Sequence, residues 1–544
     1  MRDRVLLLLV ACALGCSGGG GGSSGGGVRP AASANQAWPP AAPNTDYFVA
    51  QISGASDSND GVSPTVSGAH GPWLTIGRAA AVVEWGDVIH VAPGTYAEDV
   101  TIGSSGTGAA PIVFQGDTTS PPSVSSFTVS GAAFVEIQGF TVVGPKSLPG
   151  NWTDMPAVVV DDASILVDPA VSWTGGRQAA VGQKYASYMN ALENVFNGPG
   201  YSLFTSGIRI DGSTNVTVSG CSVSLHTIGI AMDKGSSQVT IDGNETFHCT
   251  VGIWNGSSGL PPVSASAISN NHCHQNLIHG IEVRSSADSI TVSNNLCEYN
   301  AICQIAVEAG ASNCLVRNNT CQFGGFYAET MESPGPSAID FFGVGPGCVA
   351  DGNYAAFEVD PTLRDGSGLV ADSSPNPVTF TNNVGYRNQG HGITLVGTSG
   401  NRVVNNTLVE NGYQTTSATK GAGLGIGSSS SGNTIENNIF SGNNGAHVTV
   451  DAGPGSQLID YNLYAPGTPF VRGPNGSYTT IASLRAIGRE SHGIGAGPGL
   501  VGPTDFHLAT GSPAIGMANG AVAPPVDFYG ASRGLPSDLG AIAH

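Results

Sequence analysis

The stretch SNNLCEYN, residues 293–300, decides the fold, because the chain spells it three times at a fixed step. Twenty-four residues before it stands SNNHCHQN (269–276), and twenty-four residues after it stands RNNTCQFG (317–324). The phrase sits inside a longer unit, ITVSNNLCEYNAICQIAVEAG (290–310), which reads as strand, turn, strand. Related units recur at 216–235, 239–256, 380–397 and 435–453. β-Branched residues alternating with polar ones mark short strands. The Asn-Asn and Gly-Asn pairs between them tolerate left-handed turn conformations.

A repeat this short buries no apolar face alone, whereas stacked repeats bury a continuous core. Strands about 24 residues apart then pair in parallel at ~4.8 Å. The expected fold is all-β: a right-handed parallel β-helix solenoid of about a dozen rungs. In it Cys273, Cys297 and Cys321 form one internal stack, and Asn271, Asn295 and Asn319 form another that satisfies turn backbone.

Composition narrows the function. The chain has 544 residues, 79 glycines, 11% charged residues and a net charge of −20. Its lysines are Lys146, Lys184, Lys234 and Lys420. That argues against a nucleic-acid surface, which needs clustered Lys and Arg. The N-terminus, MRDRVLLLLVACALGC, is an export signal too short to span a membrane. Ala13-Leu14-Gly15-Cys16 resembles a bacterial lipobox, and the Gly/Ser tract after it suits a flexible tether. Lipidation of Cys16 is therefore expected, with the protein at the bacterial cell envelope, on the outer membrane or cell surface; the alternative is simple secretion. The expected organisation is a signal at 1–16, a tether at 17–45, the solenoid at 46–505 with an insertion at 146–205, and a terminal segment at 506–544.

The ends agree with this reading. Residues 46–102 resemble the opening of many secreted bacterial β-helix proteins of the pectate-lyase-like superfamily. The resemblance implies an N-terminal helical cap around Thr75–Val83, with Trp-Gly-Asp (85–87) and Pro-Gly-Thr-Tyr (93–96) as turns. The tail, TDFHLATGSPAIGMANG with VDFYG and SDLGAIAH, resembles the closing segment of the same proteins and implies a C-terminal cap. The family includes pectate-type lyases, epimerases, hydrolases and proteins without known activity, so the resemblance speaks for fold rather than chemistry.

Aligning the Gly-Ile pairs of the second strands gives an outward column: Arg209, Ala231, Trp254, Glu282, Ala306, Asp340, Val370, Thr394, Gly425. A second column, two residues on, holds Asp211, Asp233, Arg284, Glu308 and Phe342. Charge gathers there and turns neutral beyond Asp340. Insertions at 146–205, 324–336, 354–367 and 412–422 all enter just before these strands, at one edge of the strip. The largest carries Trp152, Trp173 and a helical pattern over 177–197 that is expected to pack on the solenoid.

Such a strip suits a linear polysaccharide, with Arg209, Trp254 and Glu308 as contacts. Lyase chemistry assigns Lys234 as base and Arg284 as the cation, with calcium at Asp211 and Asp233. The family's calcium-dependent lyases carry a tighter aspartate cluster than this pair. Hydrolysis assigns Glu282 and Asp340, two rungs apart at roughly 9–10 Å, as paired carboxyls. No Asp-Pro-His motif points to an epimerase. The alternative is a monomeric, non-catalytic glycan-binding or adhesin-like lipoprotein. No C-x-x-C pair appears, which argues against zinc. Cys314 and Cys348 stand in equivalent places, within disulfide reach. His279 and His391 read as structural corner residues. His274 faces away from the strip, and DSNDG (57–61) reads as a tight turn.

Overall fold

The computed structural model describes residues 45–145, 204–325, 335–360, 365–412 and 421–544. Cys16, the tether, Trp152, Trp173 and the expected helix of the insertion lie outside these residues.

From Ala133–Gln138 onward each coil contributes three short strands. In the coil that holds the opening phrase they are Thr291–Ser293, Leu296–Glu298 and Cys303–Glu308. Each pairs in parallel with its counterparts one coil before and one coil after. The result is a parallel β-helix with three faces, and the first face stacks fourteen strands.

The Asn-Asn pair divides its labour. The first asparagine turns the corner in the left-handed region, with φ of 55° at Asn270, 57° at Asn294 and 53° at Asn318. Asparagine enters that region more easily than other residues with a Cβ. The second points inward. Asn271 Nδ2 donates to Asn295 Oδ1 at 3.0 Å and to the Ile241 carbonyl at 3.0 Å. The chain of amides continues through Asn319, Asn353, Asn383, Asn406, Asn438 and Asn462. It ends on Glu490, whose Oε1 accepts from Asn462 at 2.8 Å and from the Tyr464 hydroxyl at 2.6 Å.

Between the amide rows lies the apolar core. Ile253, Ile281, Ile305 and Ile339 stack in register on the third face. Cys273, Cys297 and Cys321 do so on the second. All seven are fully buried. Where a glycine precedes the isoleucine, as at Ile230, Ile253 and Ile281, it has a steric cause. A Cβ at Gly229 would lie 2.4 Å from the Gly252 carbonyl oxygen, and one at Gly280 would lie 2.6 Å from that of Gln304.

At the N-terminal end the helix Ile76–Ala80 is capped by Thr75, whose side chain accepts from the Arg78 N–H. Glu98 supports the same helix start by accepting from the Ile76 and Gly77 N–H groups. Asp57 and Asp60 of DSNDG likewise bind their own surroundings, the Leu74, Thr75 and Gly71 amides. At the far end a hairpin, Val471–Gly473 with Gly476–Tyr478, and the helix Ile481–Arg485 precede the last parallel pairing at Ile494–Gly495. The tail beyond does not sit on that end. It folds back along the side of the solenoid, where it reaches Asn382, Asn405 and Asn437. Among the described residues no helix is long and apolar enough to cross a membrane.

Candidate functional site

The third face is built from the strands Ser206–Asp211, Ile228–Asp233, Val251–Asn255, His279–Val283, Cys303–Glu308, Ser337–Phe342 and Ser367–Asp372. Their register is the one the Gly-Ile pairs imply. Arg209, Ala231, Trp254, Glu282, Ala306, Asp340 and Val370 follow one another as direct cross-strand partners. The stretches 146–203, 326–334, 361–364 and 413–420 each fall between a second-face strand and the third-face strand of the same coil. The insertion expected from 354 is shorter than the sequence suggests. Tyr354–Ala356 is a regular second-face strand.

The expectation of an open groove does not hold along this column. Trp254, Glu282, Ala306 and Asp340 are all buried. Trp254 packs its ring edge-on against Phe204, with centroids 6.3 Å apart, so it offers no free face for stacking. Nor does charge end at Asp340, because Asp372 pairs with Phe342 in the second column and raises the Asp340 carboxyl through its charge.

The charged residues divide into two groups. In the first, Arg209 Nε donates to Asp211 Oδ1 at 2.9 Å and its Nη2 donates to Asp233 Oδ2 at 3.2 Å. Lys234 Nζ reaches Asp211 Oδ2 at 2.7 Å, and Ser257 N–H donates to Asp233 Oδ1 at 3.0 Å. Two cations and two anions therefore satisfy one another. Asp211 and Asp233, expected as calcium ligands, thus take internal partners here, and Lys234, expected as a base, is held in an ion pair.

The second group is unbalanced. Arg284 Nη1 donates to Glu282 Oε1 at 2.9 Å. Glu282 Oε2 is buried and meets no N–H or hydroxyl donor among the described residues. Burial, then the nearby Glu308 charge, pushes the Glu282 carboxyl up to about 8, so of the two glutamates it is the one that holds a proton. Glu308 is also raised by burial, against the opposing pull of Arg284. Asp340 is held far above the usual carboxylate range by burial and by the charges of Asp365, Asp372 and Glu308. Its Oδ1 is buried and meets no hydrogen-bond partner among the described residues. Glu308 and Asp340 line a cavity of about 80 Å³ together with His279, Cys303 and Phe342. Glu282 and Glu308, from consecutive coils, thus share one guanidinium, and Asp340 follows on the next coil.

Two residues that the sequence left aside belong to this region. His279 lines the cavity, and burial, then Arg284, pushes its imidazole down to about 3, so it is neutral. Its place before Gly-Ile is that of any corner residue. Glu358 is a buried acid standing where the second amide row has asparagine. Its N–H donates to Asn388 Oδ1, as Asn276 N–H does to Asn300. The signal was readable as a glutamate at an asparagine position of the repeat. His391, by contrast, accepts from the Ala422 N–H at the next coil, a corner role. All eight described cysteines are buried free thiols; Cys314 donates to the Ser312 carbonyl and Cys348 to that of Ala311, and the two are not bridged.

Comparison with known proteins bears on the fold. A family model described as a right handed beta helix region matches residues 176–321 and 347–463. Among solved structures, pectate lyase Pel9A is 15% identical, with 92% of this chain and 96% of that one covered at a TM-score of 0.45. An alginate lyase from Paenibacillus sp. str. FPU-7 is 14% identical, with coverage of 57% and 91% and a TM-score of 0.36. PfbA, a surface adhesin of Streptococcus pneumoniae, is 12% identical, with coverage of 74% and 88% and a TM-score of 0.42. No curated protein matches the chain in sequence. Fourteen stacked coils, the amide rows at their corners and the family match together identify the chain as a right-handed parallel β-helix repeat protein.

Proposed function

We propose that the protein acts on extracellular polysaccharide and that Glu308 and Asp340 form its acid–base pair, with hydrolysis of a glycosidic bond as the reaction. The observation that carries this reading is the unbalanced carboxyl group at the cavity. A buried carboxyl without a matching cation costs stability. Clusters of such strained acids are typical of reactive sites. Asp340, raised well above the usual carboxylate range by burial and neighbouring acids, has the character of a general acid. Glu308, facing the same cavity, has the character of the base or nucleophile, its anion supported by Arg284. Glu282 and Arg284 act on Glu308 as positioning residues. Lyase chemistry through Lys234 is less favoured, because that ammonium is paired with Asp211 in the other group.

One observation favours a second reading. A cavity of about 80 Å³ is small beside ligand pockets of about 300–1,000 Å³. A non-catalytic surface protein that holds glycan elsewhere on the solenoid fits that closure. In both readings the chain is a monomer at the bacterial cell envelope, held by lipid on Cys16. Loss of membrane association in Cys16→Ser tests the anchor.

The test incubates the soluble chain from Ser17 onward with uronate-containing and neutral polysaccharides. New reducing ends without ultraviolet absorbance of unsaturated uronide are expected, with a drop of about 10²–10⁴-fold in Asp340→Asn and Glu308→Gln. Both signals rising together, and lost in Lys234→Ala, establishes a lyase instead. Neither signal, with binding retained, leaves the glycan-binding protein.

A further inference from the structure

The second face carries a different constellation, with no part in the acid–base group. His272 and His274 alternate on the strand His272–His274, so both imidazoles leave the sheet on the same side. Glu245 projects from the coil before and Glu298 from the coil after, on that side. The contacts run diagonally. Glu245 stands opposite His272 in register but pairs with His274, Oε1 to Nε2 at 3.3 Å. Glu298 stands opposite His274 but pairs with His272, Oε1 to Nε2 at 3.1 Å. The crossing draws the two imidazoles to 4.2 Å between ring centroids. Glu245, His272 and His274 each offer a donor atom within 4.8 Å of the other two.

From this geometry we propose that His272, His274 and Glu245 bind one divalent transition-metal ion of the zinc type, with Glu298 as the fourth donor or as the anchor of His272. Two neutral imidazoles and one or two carboxylates are the donor set that borderline metals prefer, and calcium prefers oxygen alone. Donors around a tetrahedral zinc lie about 3.4 Å apart, so the groups close by rotating about their side-chain bonds without movement of the sheet. The outer contacts are already in place. Ser222 Oγ donates to Glu245 Oε2 at 3.0 Å, and Gln322 Nε2 donates to Glu298 Oε2 at 3.0 Å. Phe247 stacks on His274 with an interplanar angle of 3°. Such partners fix ligand orientation in metal sites. The side chains remain reachable, with His272 39% and Glu245 45% exposed. The bound ion would tie together the coils of Glu245 and His272, and that of Glu298 where it supplies the fourth donor. Zinc enters here through imidazole and carboxylate, by a route the missing C-x-x-C pairs do not speak to.

The experiment uses the untagged chain from Ser17, stripped with EDTA and titrated calorimetrically with zinc chloride alone. One equivalent of zinc is expected to bind. Glu245→Gln, close in size to the native residue, should weaken it at least tenfold. The double variant His272→Ala/His274→Ala should abolish it with an unchanged far-ultraviolet circular dichroism spectrum. Cobalt substituted for zinc should give the intense visible bands of four- or five-coordination in the native chain, a readout that needs no variant. The proposal is overturned by the absence of stoichiometric binding, by zinc affinity indifferent to these substitutions, by a cobalt spectrum like that of the hydrated ion, or by calcium competing on equal terms. An imidazole–carboxylate lattice without metal is what those results would leave.

Discussion

At the scale of single residues, the pair Glu282–Glu308 concentrates the chemistry. The Glu282 carboxyl rises from an ordinary 4.5 to about 8 on folding. A raised acid favours the folded state while it stays protonated. Its contribution is therefore complete below pH 4.5 and is lost as pH climbs through 8. Glu282→Gln imitates the protonated form. Its melting temperature should match the native chain near pH 4.5 and exceed it at pH 8–9, as thermal melts across that range would register. Equal melting temperatures at both ends would mean that Glu282 stays ionised. The column holding these residues was legible in the sequence, since side chains alternate with period two and Gly-Ile fixes the phase. Its burial was not. Trp254 looked like a sugar platform because an outward position on a strand reads as exposed, and nothing local says that Phe204 will lie against it. The sharing of charge was also hidden. Whether Arg209 serves Asp211 or a ligand depends on side-chain reach across coils, and spacing does not encode that.

At the scale of the repeat element, two ladders, of amides and of glycines, flank the apolar core and set how closely the coils stack. The amide row is continuous, so one break leaves groups orphaned on both sides. Asn319→Ala removes the acceptor for the Asn295 N–H and Nδ2, and the donor to the Val292 carbonyl. Each buried group left unpaired costs about 1–3 kcal/mol, so urea denaturation should show a loss of several kcal/mol. A loss below about 1 kcal/mol would mean that water replaces the row. The glycine row fails for a different reason. In Gly280→Ala the new Cβ meets the Gln304 carbonyl oxygen 2.6 Å away and the Asn300 amide nitrogen at 2.7 Å. Backbone has to move, so the destabilisation should be ~1–3 kcal/mol or more, as for other overpacked sites. Both ladders could be read in advance, because a 24-residue step aligns like with like. The interruption at Gly324 could not. There Gln304 swings into the missing asparagine's place, and a Cβ at Gly324 would stand 1.7 Å from its Nε2.

At the scale of the whole molecule, the tail converts a stack of near-neighbour contacts into one body. A solenoid coil touches only adjacent coils, which allows partial unfolding from an end. Here residues 519–541 run against the corners of Asn382, Asn405 and Asn437 on three consecutive coils, and so link the first of these coils to the third. Arg533 is the main clasp. Its Nη2 donates to Asn382 Oδ1 at 2.7 Å, to the Gly540 carbonyl at 2.8 Å and to the Ala541 carbonyl at 2.9 Å. Phe506 closes over Tyr386 nearby, edge to face at 5.2 Å, and Ala541 and Ile542 join the same apolar cluster. The sequence made the tail recognisable as a closing segment, but gave no sign that it closes the side rather than the end. That placement depends on contacts more than 130 residues apart, such as Asn405 with Gly540. Arg533→Ala removes the charged donor to those acceptors, leaving Gly540 to Asn405 and Ala541 to the Phe528 N–H, and should cost about 1.5–3 kcal/mol on the scale of hydrogen bonds to charged groups. The effect on cooperativity discriminates further. If the tail is the clasp, Arg533→Ala should broaden the urea transition and lower its slope, because the coils around 382–437 then open ahead of the rest. A lower midpoint with an unchanged slope would mean that the coils are coupled through the ladders alone, and that the tail adds stability without adding unity.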